Sequence, residues 1–320
     1  MAYSKTEILS PDEIGVARAV TLLADGRLVG IPTETVYGLA GDARSDIACA
    51  RIFDAKGRPR FNPLIVHLPS IAAADRIAHL NHSARALASA FWPGPLTLVL
   101  PLRHGHGLSP LVTAGLDTVA IRLPAHPLAR AVLTAFDGPL AAPSANPSGR
   151  ISPTTAPHVL AGLDGCIAAV LDGGPCGVGL ESTILAPAEH GTRLLREGGL
   201  AREAILPFTG PLLIDTTPGK VQAPGQLSSH YAPRTAVILN SPLTDPTAIH
   251  VGFGPGAADL SLSPSGDLIE AAARLFGTLH AADALAASRK AGEIHIAPIP
   301  DTGLGRAIND RLSRAAAPRP

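Results

Sequence analysis

The chain has 320 residues, with 26 Lys+Arg against 26 Asp+Glu and a formal net charge of zero; that length favours two domains of ~100–200 residues each. The charge balance speaks against a polybasic nucleic-acid binder while leaving room for a local basic patch. Charged residues make up 16% and hydrophobic residues 46%, as in a folded protein, and three cysteines (Cys49, Cys166, Cys176) without a CxxC exclude a disulfide scaffold and point to a reducing compartment.

The N-terminus, MAYSKTEILSPDE, lacks a basic segment followed by an apolar one, so it does not read as a signal peptide. No run of ~18 apolar residues occurs, so no membrane span is expected, and the expected location is the cytoplasm. Lysine is scarce: Lys5, Lys56, Lys220 and Lys290 are the full set. A lysine inside a motif therefore carries weight, as do Trp92 and the tyrosines Tyr3, Tyr37 and Tyr231.

In chain order, Ser10-Pro11-Asp12-Glu13 predicts a helix over 11–27, with Ser10 as cap and Pro11 at the first position. Ile14, Ala17, Val20 and Leu23 would form its apolar face. Strands are expected at 28–31, 64–68, 96–100, 119–123, 140–142, 168–171, 182–185 and 193–196. Helices are expected at 46–55, 83–91 and 127–136. Polar loops follow several strands, at 32–35 and 143–153. Pro, Gly, Thr and Ser then dominate, and residues 208–233 read as a linker. Beyond it, strands at 236–239, 248–253 and 293–297 and helices at 267–287 and 305–316 make a smaller α/β unit. The expected domains are 1–207, the linker 208–233, and 234–320. The first is a twisted mixed α/β domain; the second has an open, Rossmann-like sheet.

Motif screening is mostly negative. GxxxxGK[ST], HExxH and GxSxG are missing, and no cluster predicts a protein metal site. Gly252-Phe253-Gly254-Pro255-Gly256-Ala257 matches GxGxx[GA], but no acidic ribose partner is evident, so it reads as a tight turn.

Six polar segments sit after apparent strands, where open α/β sheets place ligands. Thr33-Glu34-Thr35 offers two hydroxyls and a carboxylate; its plain alternative is a helix cap. Lys56, Arg58 and Arg60 lie within five positions of one another and suit a polyphosphate, or simply a solvated loop. His67 ends an apolar run, as a ligand group or as a core histidine. Ser144, Asn146 and Arg150 follow a very apolar strand. Arg122 and Arg196 each interrupt or end such a strand, where a charge needs an acid or an anionic ligand. Glu181-Ser182-Thr183 completes the set. Together they describe one cationic pocket suited to electrostatic catalysis on a phosphoanhydride.

These segments, PTETVYGL, KGRPRFNPLIVH, WPGPLTLVL, TAGLDTVAIRLPAHP, APSANPSGR, ESTI and LLREG, resemble the threonylcarbamoyl-AMP synthase family in its long, two-domain form, built on a YrdC-like N-terminal domain. APGQLSSHYAP resembles that family's linker, and GLGRAINDRLSRAA the end of its second domain. The resemblance spans nearly the whole chain. It implies a nucleotidyltransferase that joins L-threonine, bicarbonate or CO2, and ATP into threonylcarbamoyl-AMP and pyrophosphate, with Mg2+ accompanying ATP. The threonylcarbamoyl group would pass through downstream transfer proteins to adenosine 37 of tRNA, with weak direct tRNA contact allowed for. Thr33, Thr35, His67, Arg122, Ala142 and Ser182 would surround threonine. Lys56, Arg58, Asn62, Thr118, Ser144, Asn146, Arg150, Arg196, His230 and Tyr231 would hold ATP, with Lys56 and Arg58 as the catalytic cations. Tyr231 would close over the nucleotide as part of a lid at 223–233, the alternative being a mere anchor for the linker. Two other readings compete: a non-catalytic double-stranded RNA binder, disfavoured by zero net charge, and a carbamoyl transferase, whose Cys clusters this chain lacks.

Overall fold

Asp12, and not Ser10, opens the first helix. In the computed structural model, which describes residues 4–214 and 230–318, Asp12 accepts the Gly15 amide at 2.9 Å while the Ser10 hydroxyl donates to the same carboxylate at 2.7 Å. A carboxylate satisfies the free amide and also meets the positive end of the helix dipole, so it displaces the hydroxyl. The helix runs Glu13–Ala24, Pro11 lies outside it, and the buried face is Gly15, Ala19, Leu22 and Leu23. Ile14, expected inside, is 78% exposed.

In chain order the first fourteen strands and helices are β1 (Glu7–Leu9), α1 (Glu13–Ala24), β2 (Val29–Ile31), β3 (Gly38–Asp42), α2 (Asp46–Lys56), β4 (Ile65–His67), α3 (Ile71–Ile77), α4 (His82–Phe91), β5 (Leu96–Pro101), α5 (Pro110–Thr113), β6 (Thr118–Arg122), α6 (Pro127–Phe136), β7 (Leu140–Ala141) and α7 (Ala156–Leu163). There follow β8 (Ala169–Leu171), β9 (Thr183–Ala188), β10 (Gly191–Arg196), α8 (Arg202–Thr209) and β11 (Leu213–Ile214). The eleven strands form one mixed sheet in the order β1-β8-β2-β3-β7-β4-β6-β5-β9-β10-β11. Its central register matters for function. His67 pairs with Arg122, and Arg122 with Thr97, in adjacent strands. Their side chains thus meet where β4 and β6 end and β5 begins, with Ser182 just ahead of β9.

Several elements escaped the sequence reading. β3 is Gly-Leu-Ala-Gly-Asp, whose two glycines dilute any strand signal. α8 contains Pro207 and runs to Thr209, and β11 pairs with β10, so residues 208–209 and 213–214 are regular where a linker was expected. Residues 215–229 of that linker lie outside the described residues.

After it come β12 (Ala236–Ile238), β13 (Ile249–Phe253), β14 (Leu260–Ser263), α9 (Leu268–Arg289), β15 (Glu293–Ile296) and α10 (Gly305–Ala316). The strands form a parallel sheet, β12-β15-β13-β14. The Gly-rich turn at 252–257 leads from β13 straight into β14. It therefore lacks the following helix that a dinucleotide site needs for its pyrophosphate.

The two sheets share a core. Val36, Ile151 and Leu180 pack in one cluster with Tyr231, Phe276, Leu279 and Leu312. Across the same junction His158 stacks on His280 at 4.0 Å. Gly179 permits the closest approach: its φ is +71°, and a Cβ there would lie 2.4 Å from the Ala273 carbonyl oxygen of α9. Glycine meets both demands, because it tolerates left-handed backbone and has no side chain to collide. Gly179→Ala is expected to destabilise the protein by about 2 kcal/mol. Urea unfolding checks this; a midpoint equal to the parent's would show that the two domains are not packed this closely.

Candidate functional site

The turn between β2 and β3 is closed by its own hydroxyl. Thr33 Oγ1 accepts the amides of Thr35 and Val36, each at 3.2 Å, and its proton reaches the Val36 carbonyl at 2.6 Å. It caps a hairpin turn and not a helix. Arg122 fixes the other side of this turn. Its guanidinium donates to Thr35 Oγ1 (2.7 Å), to Glu34 (2.6 Å) and to the Gly94 carbonyl (3.3 Å). The partner demanded by a cation in an apolar strand is thus Glu34, whose second oxygen accepts the Ala125 amide at 3.0 Å. Burial would raise the Glu34 carboxyl, but the Arg122 charge, the Arg122 hydrogen bond and the backbone amides together outweigh it and hold the group below its usual value. Beside them, burial and then the Arg122 charge push His67 down to about 3, so its imidazole is neutral.

A second wall comes from α2 and the loop after β7. Gly57 ends α2 in the left-handed conformation, which turns the chain at Lys56. Lys56 is 3% exposed. Its ammonium nitrogen lies 2.5 Å from the Ser144 carbonyl and also bonds the Asn146 carbonyl. Arg58 donates to the carbonyls of Asn62 (3.2 Å) and Pro63 (2.9 Å). Neither cation has a carboxylate among these acceptors. Burial, and then the like charge of Arg58, drive the Lys56 pKa well below its usual value. Burial, and then Arg196, lower that of Arg58 to about 10. Positive charge is being held out of water at an energetic cost that an anion would relieve. Nearby, Asn62 Oδ1, Asn146 Oδ1 and His230 Nδ1 are buried without a protein partner, each worth about 1–3 kcal/mol if left unmet.

The third wall is β9–β10. Arg196 donates to the Ser182 carbonyl and hydroxyl at 2.8 and 3.2 Å. Thr97 and Ser182 share a 2.6 Å hydroxyl contact. Glu181 accepts Ser152 Oγ at 2.6 Å and Arg311 Nε, from the second domain, at 2.9 Å. Above them sits Tyr231, 1% exposed with φ +64°. It stacks on Phe276 at 5.4 Å and meets the His230 ring edge at 4.1 Å. A left-handed tyrosine is strained by about 1–2 kcal/mol, so this position is imposed by the packing around it.

These walls surround a tight cavity of about 50 Å³, smaller than the ~300–1,000 Å³ usual for small-molecule sites. All six residues expected around threonine line it: Thr33, Thr35, His67, Arg122, Ala142 and Ser182. Of those expected around ATP, Arg58, Ser144, Arg196, His230 and Tyr231 line it, while Lys56, Asn62 and Asn146 stand buried behind the wall. Two of the expected residues, Thr118 and Arg150, are not among those lining this cavity. Thr118 begins β6, four residues and ~13 Å from Arg122 along the strand. Arg150 is exposed and faces a separate cleft between the domains, shared with Asn146, His158 and His280. Glu181 was expected only as part of the polar segment Glu181-Ser182-Thr183, and Arg311 was not expected at the site. The one signal available was an arginine at a core position of an amphipathic helix. Among the described residues one group has metal-ligand spacing, Asp245, Glu293 and His295. It belongs to the second domain and not to this cavity.

Residues 21–198 match the family described as telomere recombination, and residues 200–317 match that described as threonylcarbamoyl-AMP synthase, C-terminal domain. The threonylcarbamoyl-AMP synthase of Bacillus subtilis is 41% identical over 338 aligned positions, covering 98% of this chain and 96% of the relative. That of Pyrococcus abyssi is 37% identical, covering 96% of each. Among solved structures, P. abyssi Sua5 complexed with L-threonine superposes with a TM-score of 0.89 at 36% identity, covering 97% of this chain and 98% of that one.

The buried carboxylate generates a pH prediction. Burial would raise Glu181, but Arg311 first and Arg196 next more than offset it, and the group falls to about 2. Its unfolded value is ~4.3. A depressed folded pKa stabilises above the unfolded value, and that stability is lost as pH falls toward the folded one. The difference in unfolding free energy between the parent and Glu181→Gln is therefore expected to shrink as pH drops from ~5 to ~2. A difference independent of pH, measured by urea titration across that range, would refute the assignment.

Proposed function

The chain belongs to the threonylcarbamoyl-AMP synthase family, and from that membership we propose that it joins L-threonine, bicarbonate or CO2, and ATP into threonylcarbamoyl-AMP and pyrophosphate. The carrying observation is the burial of Lys56 and Arg58 with backbone carbonyls as acceptors, beside a cavity walled by hydroxyls, a neutral histidine and Arg122. Arg122 pairs with the threonine carboxylate, sharing its fork between substrate and Glu34. Thr33, Thr35 and Ser182 face the substrate's amine and hydroxyl. The amine captures CO2 as a carbamate, and a carbamate oxygen attacks the α-phosphorus while pyrophosphate leaves. Charge developing on the phosphate oxygens is met by Arg58 and Arg196, with Lys56 behind them. The carbamate is short-lived in water, so enclosure helps the reaction.

The carboxylates of the cavity are committed to arginines, Glu34 to Arg122 and Glu181 to Arg311. Mg2+ is accordingly read as entering on the ATP phosphates, with no protein site of its own. Tyr231 contributes to a lid: it lines the cavity while its ring rests on Phe276 of the second domain. The product passes to downstream transfer proteins that modify adenosine 37 of tRNA, and any tRNA contact by this chain is weak given its zero net charge. A cytoplasmic setting suits the three free cysteines. No helix among the described residues is long and apolar enough to cross a membrane.

Incubation with ATP, threonine and bicarbonate is expected to yield threonylcarbamoyl-AMP by mass spectrometry. Lys56→Ala and Arg58→Ala should each lower kcat/KM by about 100-fold; pyrophosphate release near the parent's rate in both would remove the cationic wall from the reaction. Tyr231→Ala should raise the apparent KM for ATP and reduce product formed per ATP consumed, because water enters an open site. An unchanged ratio would reduce Tyr231 to an anchor for the linker.

A further inference from the structure

Arg311, a charged side chain of the second domain, contacts the cavity's lining. Arg311 is 0% exposed, the largest of the fully buried side chains. It shares the inner stripe of α10 with Ala307, Ile308, Leu312 and Ala315. A leucine would fill that stripe without taking a cation out of water. What the guanidinium meets explains why an arginine stands there. It donates to Glu181 at 2.9 Å, to the neighbouring Asp310 at 2.6 Å and to the Glu197 carbonyl at 2.7 Å. It also lies 5.3 Å from the centre of the Tyr231 ring. Of these partners Glu181 and Tyr231 line the cavity. The other oxygen of Glu181 is taken by Ser152.

We propose that Arg311 is a positioning residue for the first domain's site: it fixes and neutralises the Glu181 carboxylate, so that Arg58 and Arg196 keep their positive charge for an anionic ligand. The inference rests on the ATP reading above. A carboxylate in the wall of a phosphate site is otherwise a liability, since it repels the ligand and competes for the cations. Arg196 is the cation next in influence on Glu181 after Arg311, and it donates to Ser182, the residue adjacent to Glu181. Released from Arg311, the carboxylate has Arg196 as the cation next in electrostatic influence on it. The second domain thereby sets the charge of a cavity built almost wholly from the first.

An ion pair that only joined two domains would behave differently. Its loss would lower stability and leave the folded protein's affinity for nucleotide unchanged. Calorimetric titration of the full chain with a non-hydrolysable ATP analogue separates the two. Arg311→Met is expected to bind the analogue at least about tenfold more weakly than the parent. Arg311→Met/Glu181→Gln is expected to recover to within about threefold, because the offending charge is gone. Parental affinity in Arg311→Met, or a double variant as weak as the single, overturns the proposal. Should Arg311→Met fail to fold, Arg311→Lys decides between the two roles. It keeps the charge beside Glu181 but loses the fork to Asp310 and Glu197, so affinity within about threefold of the parent is expected together with a lower melting temperature. A tenfold loss in Arg311→Lys overturns the proposal equally. If the parent itself does not bind the analogue, the ATP reading fails, and the same titration shows that separately.

Discussion

Lys56, Arg58, Arg122, Arg196 and Arg311 are all buried and lie close enough in the fold to act on one another's charge, and charges taken out of water are costly unless something meets them. The structure meets them unequally. Arg122 has Glu34, and Arg311 has Glu181 and Asp310. Lys56 and Arg58 are given backbone carbonyls, which orient a cation without cancelling it. Such an arrangement is poor for stability and good for function, because the missing counter-charge can arrive with a ligand. Neutral groups fill the remaining wall for the same reason: His67, pushed down to about 3 by burial and then by Arg122, adds no charge of its own.

The sheet explains how so many cations share one space. Adjacent strands set His67, Arg122 and Thr97 in register at one end, and β9 enters beside them carrying Ser182. The polar groups stand on strand ends and the loops that follow, where backbone already turns toward solvent and a cleft forms naturally. Strands hold these positions rigidly, whereas the loop from Ser144 onward is tied down by the Lys56 ammonium and by the Ser148 amide on the Lys56 carbonyl at 2.7 Å. Lys56 is thus both a charge and a fastener.

The second domain is more than an appendage. It contributes Phe276 beneath Tyr231, Arg311 against Glu181, and a helix pressed onto Gly179. Because a single apolar cluster runs across the junction, movement of this domain cannot leave the roof of the cavity unchanged. Tyr231 is held in a left-handed conformation at that roof, and this is where domain packing and site geometry are coupled.

Much of this was legible in the residues themselves. The alternation of apolar runs with Thr33-Glu34-Thr35, Lys56-Gly57-Arg58, Ser144-Ala145-Asn146 and Glu181-Ser182 marked strand ends bearing polar groups, and a scarce lysine beside an arginine marked anion chemistry. The fold class, a mixed α/β domain followed by a smaller open-sheet α/β unit, followed from the same patterns, whereas the strand directions and order did not. Other features depended on distances that sequence spacing does not encode. Arg122 finds its acid 88 positions away and Glu181 its arginine 130 positions away, so neither partner was identifiable locally. Thr118 and Arg150 carry the right chemistry but lie along a strand and in a separate cleft, outside the wall. The sequence by itself determined which residue types stand at the strand ends, through periodicity and turn chemistry. The tertiary structure alone decided which of those charges are paired, because pairing in a buried site depends on strand register and domain packing, and those are properties of the whole chain.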